Sequence, residues 1–359
     1  MSKDMISFLE ELKSNFSYDK PVTVVMGNEA ADLDSMVSAV TCAWYLYLSD
    51  ASSNPFPLIN IPRADFKLRT EAVFLFNEAG VNLDLLMFAE DIDLLRLKES
   101  GNLKLVLVDH NKIGSDQENL IDTVTGIIDH HADEKTYPSS ADVDIRPVGS
   151  ASTIIAESFL KNQSNSITTP LCTLLLGTIL LDTVNLDPAA GRVTDDDEKA
   201  AAAIVKITGL DQKILFDKLQ FEKFNVSSLG SYDLLRKDYK EWQFGSVKCG
   251  IGAVLQPIEK WIQKDPDISK ACDRYLSERN LDILFAMNAF TAPEFTRQLV
   301  VYIKDEALRS RTIDFLETTE MGLEKLDIDN EGSCLFYNQK NLGISRKKLQ
   351  PLLKDFFEK

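Results

Sequence analysis

The chain has 359 residues, with 39 Lys and Arg against 56 Asp and Glu; at a formal net charge of −17 it lacks the basic footprint that generic nucleic-acid or anionic-membrane binding requires. Its length predicts about two domains, and its 44% hydrophobic content supplies apolar surface for real cores. No apolar run reaches the roughly 18 residues of a membrane span, since the longest, Leu171–Leu181, is short and interrupted by Thr173, Gly177 and Thr178.

Asp4, Glu10 and Glu11 stand in the first eleven residues where a secretory signal would have an apolar core. Val22–Met26 reads as a buried strand, and Ser35–Leu48 carries Met36, Val37, Val40, Trp44 and Tyr47 at helical spacing. Phe56–Ile61 is a short strand between Pro55 and Pro62, and Glu71–Ala79 a helix ended by Gly80. Leu103–Val108 and Val124–Ile128 predict two more strands; Ser150–Leu160 and Leu171–Leu181 predict buried helices. This alternation predicts a parallel sheet with helices on both faces. Helical texture continues through Glu198–Ile207, Asp211–Phe224 and Leu229–Tyr239, after which Val247–Val254, Ile283–Asn288 and Gln298–Ile303 read as strands among helical stretches. The expected fold class is α/β, with a parallel-sheet domain over residues 1–228 and a smaller mixed α/β domain over 229–359. Five scattered cysteines, at 42, 172, 249, 272 and 334, show no C-x-x-C spacing, so reduced thiols and a cytoplasmic setting are expected.

All three histidines lie between positions 110 and 131, in Asp109-His110 and Asp129-His130-His131, each group directly after an apolar strand. The strand Val22–Met26 likewise runs into Gly27-Asn28-Glu29-Ala30-Ala31-Asp32-Leu33-Asp34-Ser35. Carboxylates and imidazoles thus gather at the ends of successive strands, where open α/β sheets place their ligands, and the pattern reads as a di-metal site. Asp182 arrives at the rim of the apolar run Leu171–Leu181, where a buried acid needs a partner and a metal would serve. Each part has a bland reading too: Asp34 and Ser35 as a helix start, Asp109 and the histidine pair as turns, Asp182 as a helix end. Ser345-Arg346-Lys347-Lys348 is a basic cluster in an acidic chain, suited to phosphate or to a solvated helix start. No G-x-S-x-G, Walker A, G-x-G-x-x-G or H-E-x-x-H motif occurs.

Taken in order, D-x-D, a lone Asp after a strand, D-H-H and a later Asp resemble the DHH phosphoesterase superfamily. Ser345-Arg346-Lys347-Lys348 resembles the basic signature of the DHHA2-type second domain, shared by family II inorganic pyrophosphatases, prune-like proteins and yeast-type cytosolic exopolyphosphatases. Family II pyrophosphatases carry histidine at the position of Asn28, and animal prune-like proteins carry Arg at the position of His131. The chain is therefore most similar to the exopolyphosphatase branch, as Ile59-Asn60-Ile61-Pro62-Arg63 and Gly191-Arg192-Val193-Thr194 also suggest.

The resemblance implies Asp32 and Asp109 on one metal and Asp34, Asp109, His130 and Asp182 on a second, with Asp109 bridging and a metal-activated water attacking terminal phosphorus. It implies His131 donating to a phosphoryl oxygen, and Arg346, Lys347 and, more weakly, Lys240 holding substrate phosphates from the second domain across an interdomain cleft. Arg63, Lys67 and Arg69 are candidates for a basic track. Two or more divalent ions are expected, Mg²⁺ by the loss of an imidazole at Asn28, with Mn²⁺ or Co²⁺ as alternatives. The expected partner is inorganic polyphosphate, with neither nucleic acid nor membrane, acting on a monomer. The alternatives are a pyrophosphatase or short-chain or nucleoside tetraphosphate hydrolase of the same superfamily, and a non-catalytic prune-like interaction protein.

Overall fold

A computed structural model describes residues 4–291, 294–328 and 334–359, in two compact units, Met1–Lys223 and Phe224–Lys359. The first unit runs α1 (Met5–Asn15), β1 (Val22–Met26), α2 (Leu33–Ser49), β2 (Pro55–Leu58), α3 (Arg63–Phe66), α4 (Thr70–Glu78), α5 (Leu94–Glu99), β3 (Leu103–Val108), β4 (Val124–Asp129), β5 (Asp142–Ile145), α6 (Ala151–Asn162), α7 (Thr169–Asp182), α8 (Asp195–Thr208) and α9 (Gln212–Phe224). Its strands form one parallel sheet in the order β2-β1-β3-β4-β5. β1 is apolar apart from Thr23 because a parallel sheet is covered on both faces, and all five of its residues are buried. Met26 pairs with Leu107, and Val108 with Ile128, so the loops leaving β1, β3 and β4 emerge side by side at the carboxyl ends of the strands. The closing strand β5, Asp-Val-Asp-Ile, was not anticipated; its charges suit an exposed sheet edge.

Helix α1 was also not anticipated. Met5, Phe8, Leu9 and Leu12 recur at helical spacing and are buried, and the Asp4 carboxylate caps the helix by accepting from Ser7 N at 2.8 Å. Helix α7 is apolar all round because it is buried all round, from Leu171 to Leu181. A Cβ on Gly177 would lie 2.6 Å from Leu75 Cδ1, so α7 meets its neighbours at near backbone contact.

The second unit runs α10 (Ser231–Lys237), β6 (Tyr239–Phe244), β7 (Val247–Val254), α11 (Ile258–Lys264), α12 (Ile268–Arg279), β8 (Ile283–Thr291), β9 (Phe295–Tyr302), α13 (Glu306–Thr318), β10 (Leu323–Lys325), β11 (Cys334–Gln339) and α14 (Arg346–Phe357). Its mixed sheet has the order β10-β11-β9-β8-β7-β6, with only β7 and β8 paired in parallel. The helix expected to reach Tyr239 stops at Lys237, and Tyr239 instead opens β6 opposite Gly252. The overlooked signal is Gly245-Ser246 between two strand-like runs, a two-residue hairpin turn in which Gly245 takes φ +57°. Among the described residues no helix is long and apolar enough to cross a membrane.

Candidate metal centre

The centre is built on the three loops that leave β1, β3 and β4. After β1, the Asn28 side chain makes a turn of its own, its Oδ1 accepting from Ala30 N at 2.9 Å and Ala31 N at 3.0 Å. Its Nδ2 donates across to the next loop, to the Asp109 carbonyl at 3.1 Å and Asp109 Oδ2 at 2.9 Å. Asp32, not Asp34 or Ser35, caps α2: its Oδ1 accepts from Ser35 N at 3.1 Å. Ser35 is freed for another task and donates its hydroxyl to Asp109 Oδ2 at 2.7 Å.

Asp34 lies in the first turn of α2, 2% exposed, and faces the start of α6. Its Oδ2 accepts from Ala151 N at 2.6 Å, and its Oδ1 from Ser152 N at 2.9 Å, Ser152 Oγ at 2.7 Å and Ser38 Oγ at 3.0 Å. A carboxylate on free helix N–H groups is held by both hydrogen bonds and the helix dipole. Asp109 follows β3 in the left-handed region, φ +60°, while its N–H still donates to Ile128 O at 2.9 Å. That combination keeps it on the sheet and turns the chain away behind it.

After β4, Asp129 is wholly buried and takes hydrogen bonds from His130 N (2.8 Å), His131 N (3.2 Å), His131 Nδ1 (2.8 Å) and Asn111 Nδ2 (2.5 Å). It fixes the His131 imidazole and the backbone of both histidines. His130 Nδ1 lies 3.0 Å from Val148 O, which leaves Nε2 facing Asp109 Oδ1 at 3.1 Å and Asp34 Oδ2 at 3.7 Å. His131 is fixed at Nδ1 by Asp129, and its Nε2 has no hydrogen-bond partner among the described residues. Asp182 ends α7, and its Oδ2 is buried without a hydrogen-bond partner.

Asp32, Asp34, Asp109, His130, His131 and Asp182 line one cavity of about 500 Å³ together with Arg192 and Thr194. A second, of about 400 Å³, shares Asp109 and His131 with it and is lined by Asn28, His110 and Lys112. Crowded like charges leave a clear electrostatic signature. Burial, then the charge of Asp34, pushes the Asp109 carboxyl up to about 7. Burial and the Asp34 and Asp32 charges raise Asp182 well above the usual range. Burial works against the His130 imidazolium, yet the hydrogen bond to Asp109 and the charge of Asp34 outweigh it and carry the group up to about 10. The hydrogen bond to Asp129 raises His131. Buried carboxylates that disfavour one another's ionisation, one with an orphaned oxygen, together with an imidazole anchored on a carbonyl at its far nitrogen, fit a divalent cation. Asp109, His130 and His131 each offer a ligand atom within 4.8 Å of the others.

Of the residues singled out in the sequence, Asn28, Asp32, Asp34, Asp109, His130, His131 and Asp182 come together in the first unit. Lys240, Arg346 and Lys347 belong to the second. There Lys240 is exposed on β6, Lys347 is exposed in the first turn of α14, and Arg346 donates to Asp238 Oδ1 at 2.6 Å and to the Asp238 carbonyl at 2.8 Å. Arg63 is bound to Asp91 at 2.6 Å, and Arg69 donates to the carbonyls of Ala31 (3.0 Å) and Ala30 (2.6 Å), so these guanidiniums brace loops. Sequence reasoning gave Ser35 only as a helix start, not as a donor to Asp109, and missed Ser152, Asn111 and Asp197. The signal for the serine was present in Gly149-Ser150-Ala151-Ser152-Thr153, a small hydroxyl-rich helix start.

Residues 22–179 match the DHH family, N-terminal domain, and residues 217–356 the DHHA2 domain. The chain is 35% identical to exopolyphosphatase PRUNE1 of Rattus norvegicus, over 98% of this chain and 79% of that protein. It is 31% identical to a putative exopolyphosphatase of Schizosaccharomyces pombe, over 92% of this chain and 90% of that one. A manganese-dependent inorganic pyrophosphatase of Methanothrix thermoacetophila is 25% identical, over 91% of this chain and 96% of its own.

Proposed function

The chain belongs to the DHH family and carries a DHHA2 domain, and from that membership we propose that it is a metal-dependent exopolyphosphatase. It is a hydrolase of phosphoanhydride bonds, and the bond it cleaves is the terminal one of inorganic polyphosphate. Asp32, Asp34, Asp109, His130 and Asp182 would hold divalent cations, which supply an activated water and neutralise phosphoryl charge. The protein's own groups prepare that chemistry. Asn28 and Ser35 fix the Asp109 carboxylate, and the start of α6 fixes Asp34. His131, held at Nδ1 by Asp129 and with its pKa raised, offers Nε2–H to a phosphoryl oxygen as charge develops there. Lys347 and Lys240 are assigned to substrate phosphates as point charges, and Arg346, whose guanidinium holds Asp238, by the likeness of Ser345-Arg346-Lys347-Lys348 to the DHHA2 signature. A cytoplasmic setting is part of the reading, supported by five cysteines that are unpaired and buried.

The observation that carries the choice of substrate and metal is Asn28. Its Oδ1 is taken up by two backbone N–H groups and both Nδ2 hydrogens by Asp109, so the side chain braces a ligand rather than acting as one. Family II pyrophosphatases have an imidazole at this position. Without it the donor set is carboxylate-rich with His130 alone among the assigned ligands, which suits Mg²⁺ better than a second nitrogen would.

The test is phosphate release from long-chain polyphosphate and from pyrophosphate in parallel, with Mg²⁺ alone, for wild type and Asp109→Asn. Fast release from polyphosphate, little from pyrophosphate, and loss of both in the variant is the expected result. Preference for pyrophosphate would transfer the chain to the pyrophosphatase branch. No release from either would leave a non-catalytic interaction protein.

A further inference from the structure

Arg192 lines the cavity of Asp32, Asp34, Asp109, His130 and Asp182 and is exposed. Every other arginine is committed to a carboxylate, a backbone carbonyl or an aromatic ring. Arg192 has no such partner among the described residues. Its freedom is unexpected, because the chain carries a net charge of −17 and Asp187, Asp195 and Asp196 lie within five residues of it. A guanidinium in such company ordinarily finds a carboxylate.

The loop that carries it is built rather than loose. Asp197, wholly buried and without a part in the chemistry above, accepts from Thr194 N at 2.8 Å and Thr194 Oγ1 at 2.7 Å on one side. On the other side it accepts from Gly149 N at 2.9 Å and Thr153 Oγ1 at 2.6 Å, at the start of α6. Position 149 must be glycine for this closure: a Cβ there would lie 2.5 Å from Thr183 Cγ2, 2.9 Å from Asp197 Oδ2 and 3.0 Å from the Arg192 carbonyl. The backbone beside Arg192 is thereby tied to the helix start that holds Asp34, with Thr183, which follows Asp182, packed close against Gly149.

We infer that Arg192 is a substrate-binding residue of this site, its guanidinium taking the non-bridging oxygens of the phosphate in the cavity, and that Asp197 is the positioning residue that pins its loop. The assignment rests on the reading of the chain as a phosphoanhydride hydrolase. Its physical reason is charge: a polyanion entering an acidic protein needs a cation at the cavity, and a forked donor also fixes the phosphate's orientation.

The experiment is steady-state hydrolysis of tripolyphosphate by the full chain with Mg²⁺, for wild type, Arg192→Gln, Arg192→Lys and Asp197→Asn. Lys199→Gln, which removes an exposed charge on α8 outside the cavity, controls for general electrostatic steering. Losing a charge-assisted fork should raise KM about tenfold or more with a smaller fall in kcat. Arg192→Lys should recover part of the loss, and Lys199→Gln should keep the wild-type KM. Asp197→Asn should also raise KM, and combining it with Arg192→Gln should add little to Arg192→Gln alone, which a merely structural role would not produce. Thr194→Ala, which deletes a single hydroxyl, replaces Asp197→Asn in that comparison if the latter does not fold.

A wild-type KM in Arg192→Gln, or an equal rise in Lys199→Gln, overturns the assignment of Arg192; strictly additive effects overturn that of Asp197. A second readout separates this inference from the reading beneath it: calorimetric titration with imidodiphosphate and Mg²⁺. If wild type hydrolyses nothing yet binds imidodiphosphate about tenfold more tightly than Arg192→Gln does, the hydrolase reading fails and Arg192 stands. Equal affinities, or no binding by wild type, remove Arg192 as well.

Discussion

Asp129→Asn tests whether the buried acid of the D-H-H segment acts through His131 rather than on a metal. Asp129 Oδ1 receives His130 N, His131 N and His131 Nδ1, and Oδ2 receives Asn111 Nδ2. An asparagine of the same shape can keep its oxygen toward the imidazole only by turning its NH₂ onto Asn111 Nδ2. Asn111 cannot flip to accept it without giving up Ala132 O at 3.0 Å and Glu134 N at 2.8 Å. The variant therefore buries mismatched donors, at a cost of about 1–3 kcal/mol in stability. His131 keeps an acceptor but loses the charge that raises its pKa, which falls back toward its ordinary value of 6.5. A hydrogen bond to a charged partner contributes about 1.5–3 kcal/mol, so kcat should drop by roughly 10- to 150-fold. The loss should deepen from pH 6 to pH 8 as the imidazole gives up its proton. The assay is Mg²⁺-dependent phosphate release from tripolyphosphate across that range, with the Mg²⁺ concentration for half activity as the second readout. A kcat within threefold of wild type at pH 8 refutes the argument. So does a tenfold loss of Mg²⁺ affinity, which would make Asp129 a ligand.

Asn28→His should shift metal preference toward Mn²⁺ or Co²⁺ and raise pyrophosphate turnover; unchanged metal preference and unchanged turnover would remove the weight placed on that position. Asp182→Asn removes a buried acid whose ionisation burial and the Asp34 and Asp32 charges already oppose, and should raise the melting temperature of the EDTA-treated chain at alkaline pH while lowering turnover at least 100-fold by loss of a ligand. A variant that is both active and no more stable speaks against Asp182 as a ligand. The pH dependence follows from two raised groups. Asp109 is carried from 3.8 to about 7, so its contribution to stability is full below about pH 4 and is lost as pH rises through 7. For His130, carried from 6.5 to about 10, the contribution is full below 6.5 and lost as pH rises through 10. The EDTA-treated chain should therefore become less stable from pH 5 to pH 8, and added Mg²⁺ should stabilise it progressively more over that window, because cation and proton compete for the same groups. Melting curves with and without Mg²⁺ that run parallel across the window would contradict this.

The grouping of these residues was legible because of one topological rule. Parallel strands send their following loops to the same end of the sheet, so D-x-D, Asp109 and D-H-H can be grouped once β1, β3 and β4 are recognised as apolar runs. Asp182 was legible because an acid closing the buried, mostly apolar stretch Leu171–Leu181 has few polar groups to meet. The supporting residues were not. Asp197 meets Gly149 and Thr153 from more than forty positions away, and Ser152 meets Asp34 across more than a hundred, distances at which no periodicity carries information. Asn28 read as a missing ligand; only the adjacency of the β1 and β3 loops turns its amide into a brace for Asp109. Helix α1 escaped because those residues were weighed as a signal sequence, and β5 because a polar edge strand lacks the apolar face by which strands are recognised.

The backbone around the centre shows what this arrangement opposes. Asp109 takes φ +60°, Ala31 +43°, and Val184, Asn185 and Leu186 take +53°, +60° and +59° in succession. Each such residue without glycine's freedom costs roughly 1–2 kcal/mol, and a β-branched valine there is a true outlier. The three-residue left-handed turn begins two residues after Asp182 and is held by Asn185 N on Leu180 O at 2.7 Å, Leu186 N on Thr183 Oγ1 at 3.1 Å and Asp187 N on Thr183 O at 3.1 Å. A right-handed continuation would have extended α7 and carried the chain onward from the sheet edge. The reversal instead leads to residues 191–194, which line the cavity; there Asp197 fixes Thr194, and Arg192 stands beside the carboxylates. Strain at Asp109, like-charge repulsion among the acids and the left-handed turn after Asp182 therefore share one origin. Each is the cost of bringing charged groups from distant segments to a single point; the hydrogen bonds of Asn28, Ser35 and the start of α6 offset part of it within the site, and the apolar burial of α7 and the sheet supports the rest.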